Sequence, residues 1–288
     1  MAGRFTLVRE VAAVGVALHA GVAARMKIGP AAAGTGIVFR RSDVSGSAPI
    51  PALWSSVADT RLGTVLKGED GASVAVVEHL LAALAGAGID DCAVEVDGPE
   101  LPAMDGDAAS FLQLIDRAGV CEQEGVRSFI RVAKRVFVES GTASAALMPS
   151  AKTELYCEID FASRAIGRQS FEIAFTPENF RHEIAPARTF GFLDEAEKLR
   201  AMGYGRGANL DNTLVIDKDV LMNAEKRRFT DEFVRHKILD AIGDLTLAGA
   251  PLLARYEGRR PSHTLNNQLL RALFSDSGNY EYVAVARC

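Results

Sequence analysis

The same succession of patterns occurs twice in this sequence, and that repetition limits the fold more than any other feature. Residues 78–118 read helix, strand, helix, and so do residues 234–274. Each succession begins with a helix carrying a histidine near its start, His79 in "EHLLAALAG" and His236 in "RHKILDAIGD". In "VAVVEHLLAALAGAG", Val74, Val77, Leu80, Leu81 and Leu84 share one helical face, and Gly86 or Gly88 supplies the stop. "DCAVEVDG" alternates as a strand, and "MDGDAASFLQLIDRAGV" returns to helical spacing with Asp107 as its N-cap. "PLLARYEG" and "TLNNQLLRALFSD" are the strand and helix of the second succession. Such a repeat predicts two similar α/β units derived by duplication. Each would have a largely antiparallel sheet with helices on one face, an α+β arrangement. Pressing the two helix layers together would bring His79 and His236 towards one another.

A chain of 288 residues is long enough for two modules. The polar run "CEQEGVR" at 121–127 is the candidate linker, giving units of residues 1–122 and 123–288. A formal net charge of -5 offers no basic field for nucleic acid. Cys92, Cys121, Cys157 and Cys288 form no C-x-x-C pair, which fits a reducing compartment and argues against a disulfide framework or a cysteine-rich zinc site. Arg9, Glu10 and His19 interrupt the N-terminal apolar stretch, so no signal core is expected. No apolar run approaches the ~20 residues that span a bilayer. A cytoplasmic location is expected.

The helix in "DEFVRHKILDAIGDL" carries more polar chemistry than a core helix needs: His236, Asp240 and Asp244 recur every four residues, with Lys237 beside the first. Residues four apart on a helix have Cβ atoms roughly 5–6 Å apart, so His236 and Asp240 can share one metal ion. Alone, H-x-x-x-D fits a solvated helix face with an Asp–His contact better than a metal site. Catalytic zinc wants three protein ligands and an open position, and His79 is the candidate third. Glu78 lies beside it in an apolar helix, where such a pair is costly to bury without partners. There it would take a proton from water at the metal, the role of the glutamate in H-E-x-x-H metalloproteases. Glu78 would also suit an exposed first turn, where it favours the helix dipole. His263 opens the last helix, where the dipole does not help it hold positive charge. A carboxylate such as Asp244 would restore that charge. Thr189, after Arg188, offers a hydroxyl or a turn hydrogen bond.

Five motifs follow in order: "VEHLLAALAGAGID", "DGPELPAMDG", "APARTFGFLDEAEKL", "DEFVRHKILDAIGDL" and "SHTLNNQLL". Together they resemble UDP-3-O-acyl-N-acetylglucosamine deacetylases, zinc enzymes of lipid A biosynthesis in Gram-negative bacteria. The resemblance implies two α/β domains packed helix layer to helix layer as a β-α-α-β sandwich, each with a small insert. The second insert, a hydrophobic passage for the acyl chain, would lie within residues 161–183. The implied metal ligands are His79, His236 and Asp240, for Zn2+ or, with similar ligands, Fe2+. Glu78 is the implied base, His263 the charged histidine and Asp244 its partner. Thr189 would help hold the oxyanion, and Phe190, Lys237 and Leu210 would contact the substrate, Lys237 also serving catalysis. The expected reaction releases acetate from a UDP-linked acylated amino sugar, performed by a monomer. The sequence departs from the family at the rim of the implied site, in "VAVVEHL", "VALHAG", "RGANLDN", "MDGDAASF" and Ser262. A divergent paralogue acting on another acylated or acetylated sugar, or a binding protein without catalysis, remains the alternative.

Overall fold

The computed structural model describes residues 3–284. Its architecture is mixed α/β, with six helices and several sheets. Five strands form the first large sheet, in the order Val11–Val16, Ala23–Pro30, Cys92–Asp97, Ile37–Arg41 and Ile50–Pro51. The second contains Val136–Ser140, Ala143–Pro149, Leu252–Arg259, Glu154–Asp160 and Arg168–Ala174 in the matching order, with Ser128–Val132 and Tyr280–Ala284 added to it. Both sheets are largely antiparallel, but the central strand Cys92–Asp97 has a parallel neighbour in Ile37–Arg41, and the central strand Leu252–Arg259 has two, Glu154–Asp160 and, at its start, Ser128–Val132. Each central strand follows a helix, and such a crossover is what a parallel pair requires. The central strands alternate as half-buried strands should: Cys92, Val94 and Val96 face inward, as do Leu252, Ala254 and Tyr256.

The helices are α1 (Glu78–Gly86), α2 (Ala109–Ala118), the single turn α3 (Pro177–Asn179), α4 (Leu193–Ala201), α5 (Glu232–Thr246) and α6 (His263–Phe274). Every residue of α1 except Ala85 is buried, the condition of a helix covered on all sides. Its main partner is α5, and Gly243 permits the close approach: a Cβ there would lie 2.0 Å from the Glu78 carbonyl oxygen.

Each large sheet is interrupted at the corresponding point, just before its long central helix. Val57–Asp59, Val65–Lys67 and Ser73–Ala75 form a three-stranded insert before α1. Phe190–Phe192, Leu214–Asp217 and Val220–Leu221, with α4 between the first two, form another before α5.

Four sequence expectations need correction. Val74 belongs to the strand Ser73–Ala75 rather than to the helix, which begins only at Glu78 after Val76 turns to a positive φ of 58°. The linker is shorter than its polarity suggested, because Val120–Gln123 pairs with Arg4–Leu7. Asp107 stands one position outside the flanking Ala108, yet its Oδ1 still accepts the Ser110 N–H at 3.0 Å. Residues 161–183 do not form the second insert. The middle of that stretch is the strand Arg168–Ala174, paired with Glu154–Asp160 in the large sheet, followed by α3 and a π-helical turn at Phe180–Ile184. Alternation carried "RQSFEIA" into the sheet, and the insert lies downstream at 190–221. Cys92 and Cys157 are buried thiols and Cys121 is half-buried, while Cys288 lies outside the described residues. Among the described residues, no helix is long and apolar enough to cross a membrane.

Candidate active site

The first turn of α1 and the middle of α5 meet at a buried group of three side chains, His79, His236 and Asp240, whose ligand atoms all lie within 4.8 Å of one another. Nε2 of His236 is 3.3 Å from Asp240 Oδ1, and Nε2 of His79 is 3.6 Å from the same oxygen. The two imidazole rings meet edge to face with centroids 5.0 Å apart. Nδ1 of His236 donates to the Ala187 carbonyl at 3.0 Å, which fixes the tautomer and leaves the Nε2 lone pair directed at the cluster. Burial pushes the His236 pKa down to about 3, so the ring is neutral, as a metal ligand must be. Burial opposes ionisation of Asp240, but the Lys237 ammonium outweighs it and holds the pKa well below the ordinary carboxylate value. Two imidazoles and one carboxylate suit a divalent metal with an open position. Lys237 Nζ sits 2.7 Å from Asp240 Oδ2, the oxygen turned away from the histidines.

A second polar group adjoins the first. Glu78 is 3% exposed, and its Oε2 accepts the Thr64 N–H at 3.0 Å. Its Oε1 lies 3.8 Å from Nε2 of His263. Burial raises the Glu78 pKa, and the nearby histidines offset this only in part. Nδ1 of His263 donates to Asp244 Oδ2 at 2.8 Å. Burial works against charge on His263, but Asp244 and Glu78 outweigh it and raise the pKa to about 10. Asp244 is itself fully engaged: the Thr64 hydroxyl donates to its Oδ1 at 2.6 Å and Asn266 Nδ2 to its Oδ2 at 2.8 Å. The Tyr256 hydroxyl in turn donates to Asn266 Oδ1 at 2.7 Å. Ser262 caps α6 through the Leu265 N–H, which sets His263 at the first position of the helix.

The loop before the second insert is pinned to α5. The carboxylate of Glu232, fully buried, accepts from the backbone and Nε of Arg188 at 3.1 and 2.9 Å. Ala187, which bonds His236, and Thr189 flank that anchor. The Thr189 N–H donates to Gly106 and its carbonyl accepts from Leu214. Phe190 sits beside the cluster, its ring 6.3 Å from that of His236 and 5.5 Å from Lys237 Nζ. Phe161 and Phe233 pack against Phe190 at 5.7 and 5.1 Å. Leu210 is not drawn in: it is 42% exposed on the loop between α4 and Leu214–Asp217, and its carbonyl accepts from Asn223.

A cavity of about 600 Å³ lies on the other side of Glu78, between the two inserts. Leu62, Val65, Val76, Leu199, Met202 and Tyr204 supply most of its apolar wall. Gly63 stands between cavity and carboxylate; a Cβ there would come within 2.9 Å of Glu78 Oε1. His19 of "VALHAG" ties the inserts together, with Nε2 donating to the Leu62 carbonyl at 2.9 Å and Nδ1 accepting the Gly205 N–H at 3.3 Å.

Sequence reasoning missed Thr64, Gly63, Asn266, Tyr256 and the Arg188–Glu232 pair. Thr64 in "LGTVL" follows no chemical spacing, and only tertiary contact gives it two carboxylate partners. Asn266 had a usable signal, since it sits one turn beyond His263 on the same helix face.

An α+β fold that buries a two-imidazole, one-carboxylate ligand set beside a separate carboxylate–imidazole pair has the makings of a metal-dependent hydrolase. Comparison with known proteins makes the class specific. The chain belongs to the LpxC family, UDP-3-O-acyl N-acetylglycosamine deacetylase, whose sequence model matches residues 4–275. A UDP-3-O-acyl-N-acetylglucosamine deacetylase from Myxococcus xanthus is 46% identical, covering 98% of this chain and 90% of its own length. One from Phenylobacterium zucineum is 50% identical, covering 90% of this chain and 89% of its own length. A third, from Brucella melitensis, is 45% identical over 96% of this chain and 97% of its own length.

Proposed function

We propose that the chain hydrolyses the N-acetyl group of a UDP-linked 3-O-acyl-N-acetylglucosamine, releasing acetate and a free amino sugar in lipid A synthesis. Its family and relatives carry that activity in their names. The observation that carries the mechanism is the 3.8 Å approach of Glu78 Oε1 and His263 Nε2 beside the His79–His236–Asp240 set.

His79, His236 and Asp240 would hold one zinc ion through two Nε2 atoms and a carboxylate oxygen. Zinc bound there polarises a carbonyl oxygen and lowers the pKa of water towards about 7. Glu78 acts as general base: its raised pKa brings it nearer the working pH, where a base is most effective. The Thr64 N–H fixes one carboxylate oxygen and leaves Oε1 to receive the proton. His263 stays protonated through Asp244 and presents Nε2–H to the oxygen of the acetamide as negative charge develops there. The Thr189 hydroxyl gives a second donor to that oxygen. Either His263 or Glu78 then protonates the departing amine. Lys237 balances the charge of Asp240 and, with Phe190, contacts the sugar and its substituents, while the exposed Leu210 is left without that role.

The acyl chain fits the cavity of about 600 Å³ beside Gly63 better than residues 161–183, because that cavity is mostly apolar and only Gly63 separates it from the Glu78 carboxylate. Phe161, packed on Phe190, is the part of 161–183 that remains at the site. The chain is read as two units, residues 1–122 and 123–288, in helix-to-helix contact and working as a monomer. The matched strand orders support this division.

Acetate release from UDP-linked glucosamine substrates of graded acyl length, with metal content measured on the same protein, tests the reading. Metal-dependent acetate release is expected, with one divalent ion per chain. Full metal loading without acetate release from any of these substrates would overturn it.

A further inference from the structure

A second cavity, of about 510 Å³, lies towards the C-terminal ends of α1 and α5 and shares no residue with the site described above. Its apolar wall includes Ile89, Phe129, Leu155, Phe175, Ile242 and Leu245, drawn from both halves of the chain. We propose that it binds a neutral amphiphile carrying a single medium-length alkyl or acyl chain, as a ligand site separate from the catalytic centre.

The volume falls within the roughly 300–1,000 Å³ of small-molecule sites. Its lining is more apolar than polar, and apolar atoms facing an open pocket lack dispersion partners on that side. An alkyl chain restores them. Water does so poorly, because it needs two to four polar partners, about as many as a buried water normally finds.

The rim decides the head group. Arg127 Nε donates to Asp90 Oδ1 at 2.8 Å, and Arg4 makes a two-bond pair with Asp91 at 2.7 Å. Arg4, Arg127 and Asp90 all border the cavity, but each charge is already balanced. An ionic head would lose hydration there and find each charge already held by its own partner. A hydroxyl, ester or amide head avoids that cost, and the polar residues Thr35 and Ser128 also line the cavity. Gly249, at φ 84°, shapes the wall: a Cβ there would lie 2.7 Å from Leu53 Cδ2.

A reporter is built in. Leu53 borders the cavity, and its neighbour Trp54 is the sole tryptophan. The Trp54 N–H donates to the Leu247 carbonyl at 2.7 Å, and its ring stacks on Phe274 at 5.5 Å. The full chain is titrated with decanol, octanol, decanoate and decylammonium, read by Trp54 fluorescence and calorimetry. Decanol should saturate one site per chain, and octanol, two methylenes shorter, should bind roughly tenfold more weakly. Decanoate and decylammonium should each bind at least tenfold more weakly than decanol. Thr246→Phe, or Ala250→Phe should the first not fold, fills the cavity. Either should weaken decanol at least tenfold while kcat/KM for acetate release stays unchanged. The proposal is overturned by absent binding, by equal binding of all three head groups, or by decanol affinity that survives in both variants. Decanol that raises the substrate KM competitively would sit in the catalytic cavity and would also overturn it. The fluorescence arms need no turnover, so they stand whatever the deacetylase assay returns.

Discussion

Nε2 of His263 lies 3.8 Å from Oε1 of Glu78, although the two residues open helices at opposite ends of the chain. One is a carboxylate pushed towards neutrality by burial, the other an imidazole pushed to about 10 by its acidic neighbours. Such a separation of environments is what assigns base and acid roles within one site.

Replacing Glu78 by Gln should leave metal content unchanged and lower kcat by about 10²–10⁴-fold, the usual contribution of a positioned base. Metal analysis and acetate release on the same preparation check this. Near-normal turnover would remove Glu78 from the mechanism.

The pH profile should be bell-shaped. The acidic limb belongs to Glu78 and should lie above the ordinary carboxylate range, because burial raises its pKa. The alkaline limb belongs to His263 and should lie well above the ordinary histidine value near 6.5, towards the value of about 10. Asp244→Asn should move that limb to lower pH with the metal retained, and His263→Gln should abolish it. A limb unmoved in the first variant and present in the second would make His263 a bystander.

Stability should follow the same group. The pKa of His263 is raised on folding, so its contribution is complete below about pH 6.5 and is lost as pH climbs through about 10. Chemical denaturation from pH 6 to 10 should show stability falling over that window, with a smaller fall in His263→Gln.

Asp240→Ala should strip the metal during dialysis against chelator, since the ion loses its one anionic ligand. It also leaves half-buried Lys237 without its 2.7 Å partner, an uncompensated charge that lowers stability. Loss of metal and a lower Tm should therefore appear together. Full metal occupancy after dialysis would refute the ligand assignment.

Gly243→Ala tests the helix contact. The added Cβ would meet the Glu78 carbonyl at 2.0 Å, so α1 and α5 must separate. Overpacking of this kind costs typically 1–3 kcal/mol. Here it also displaces His79 from His236 and Asp240, so kcat should fall at least tenfold. A variant with wild-type Tm and kcat would show that the contact yields without consequence.

The repeated helix–strand–helix pattern was legible because it rests on local periodicity: α1, α5 and α6 are recognisable from apolar spacing and stop signals alone. His79, His236 and Asp240 stood out because polar groups in apolar helices require partners. Residues 161–183 misled because "RQSFEIA" alternates whether it lines a passage or joins a sheet, and only pairing with Glu154–Asp160 decides. Val76 misled for a different reason: its φ of 58° is rare for a β-branched residue, so periodicity ran the helix through a break it could not register. Thr64 and the Arg188–Glu232 pair lay beyond reach, because their roles come from contacts distant in sequence.

Thr64 gives its N–H to Glu78 and its hydroxyl to Asp244, a residue 180 positions later. Contacts of such long range close slowly and late. As the chain leaves the ribosome, the base is made long before the carboxylate that charges the acid. If Glu78, His263 and Asp244 act as proposed, a chain in which α5 and α6 have yet to dock on α1 holds the base without its acid.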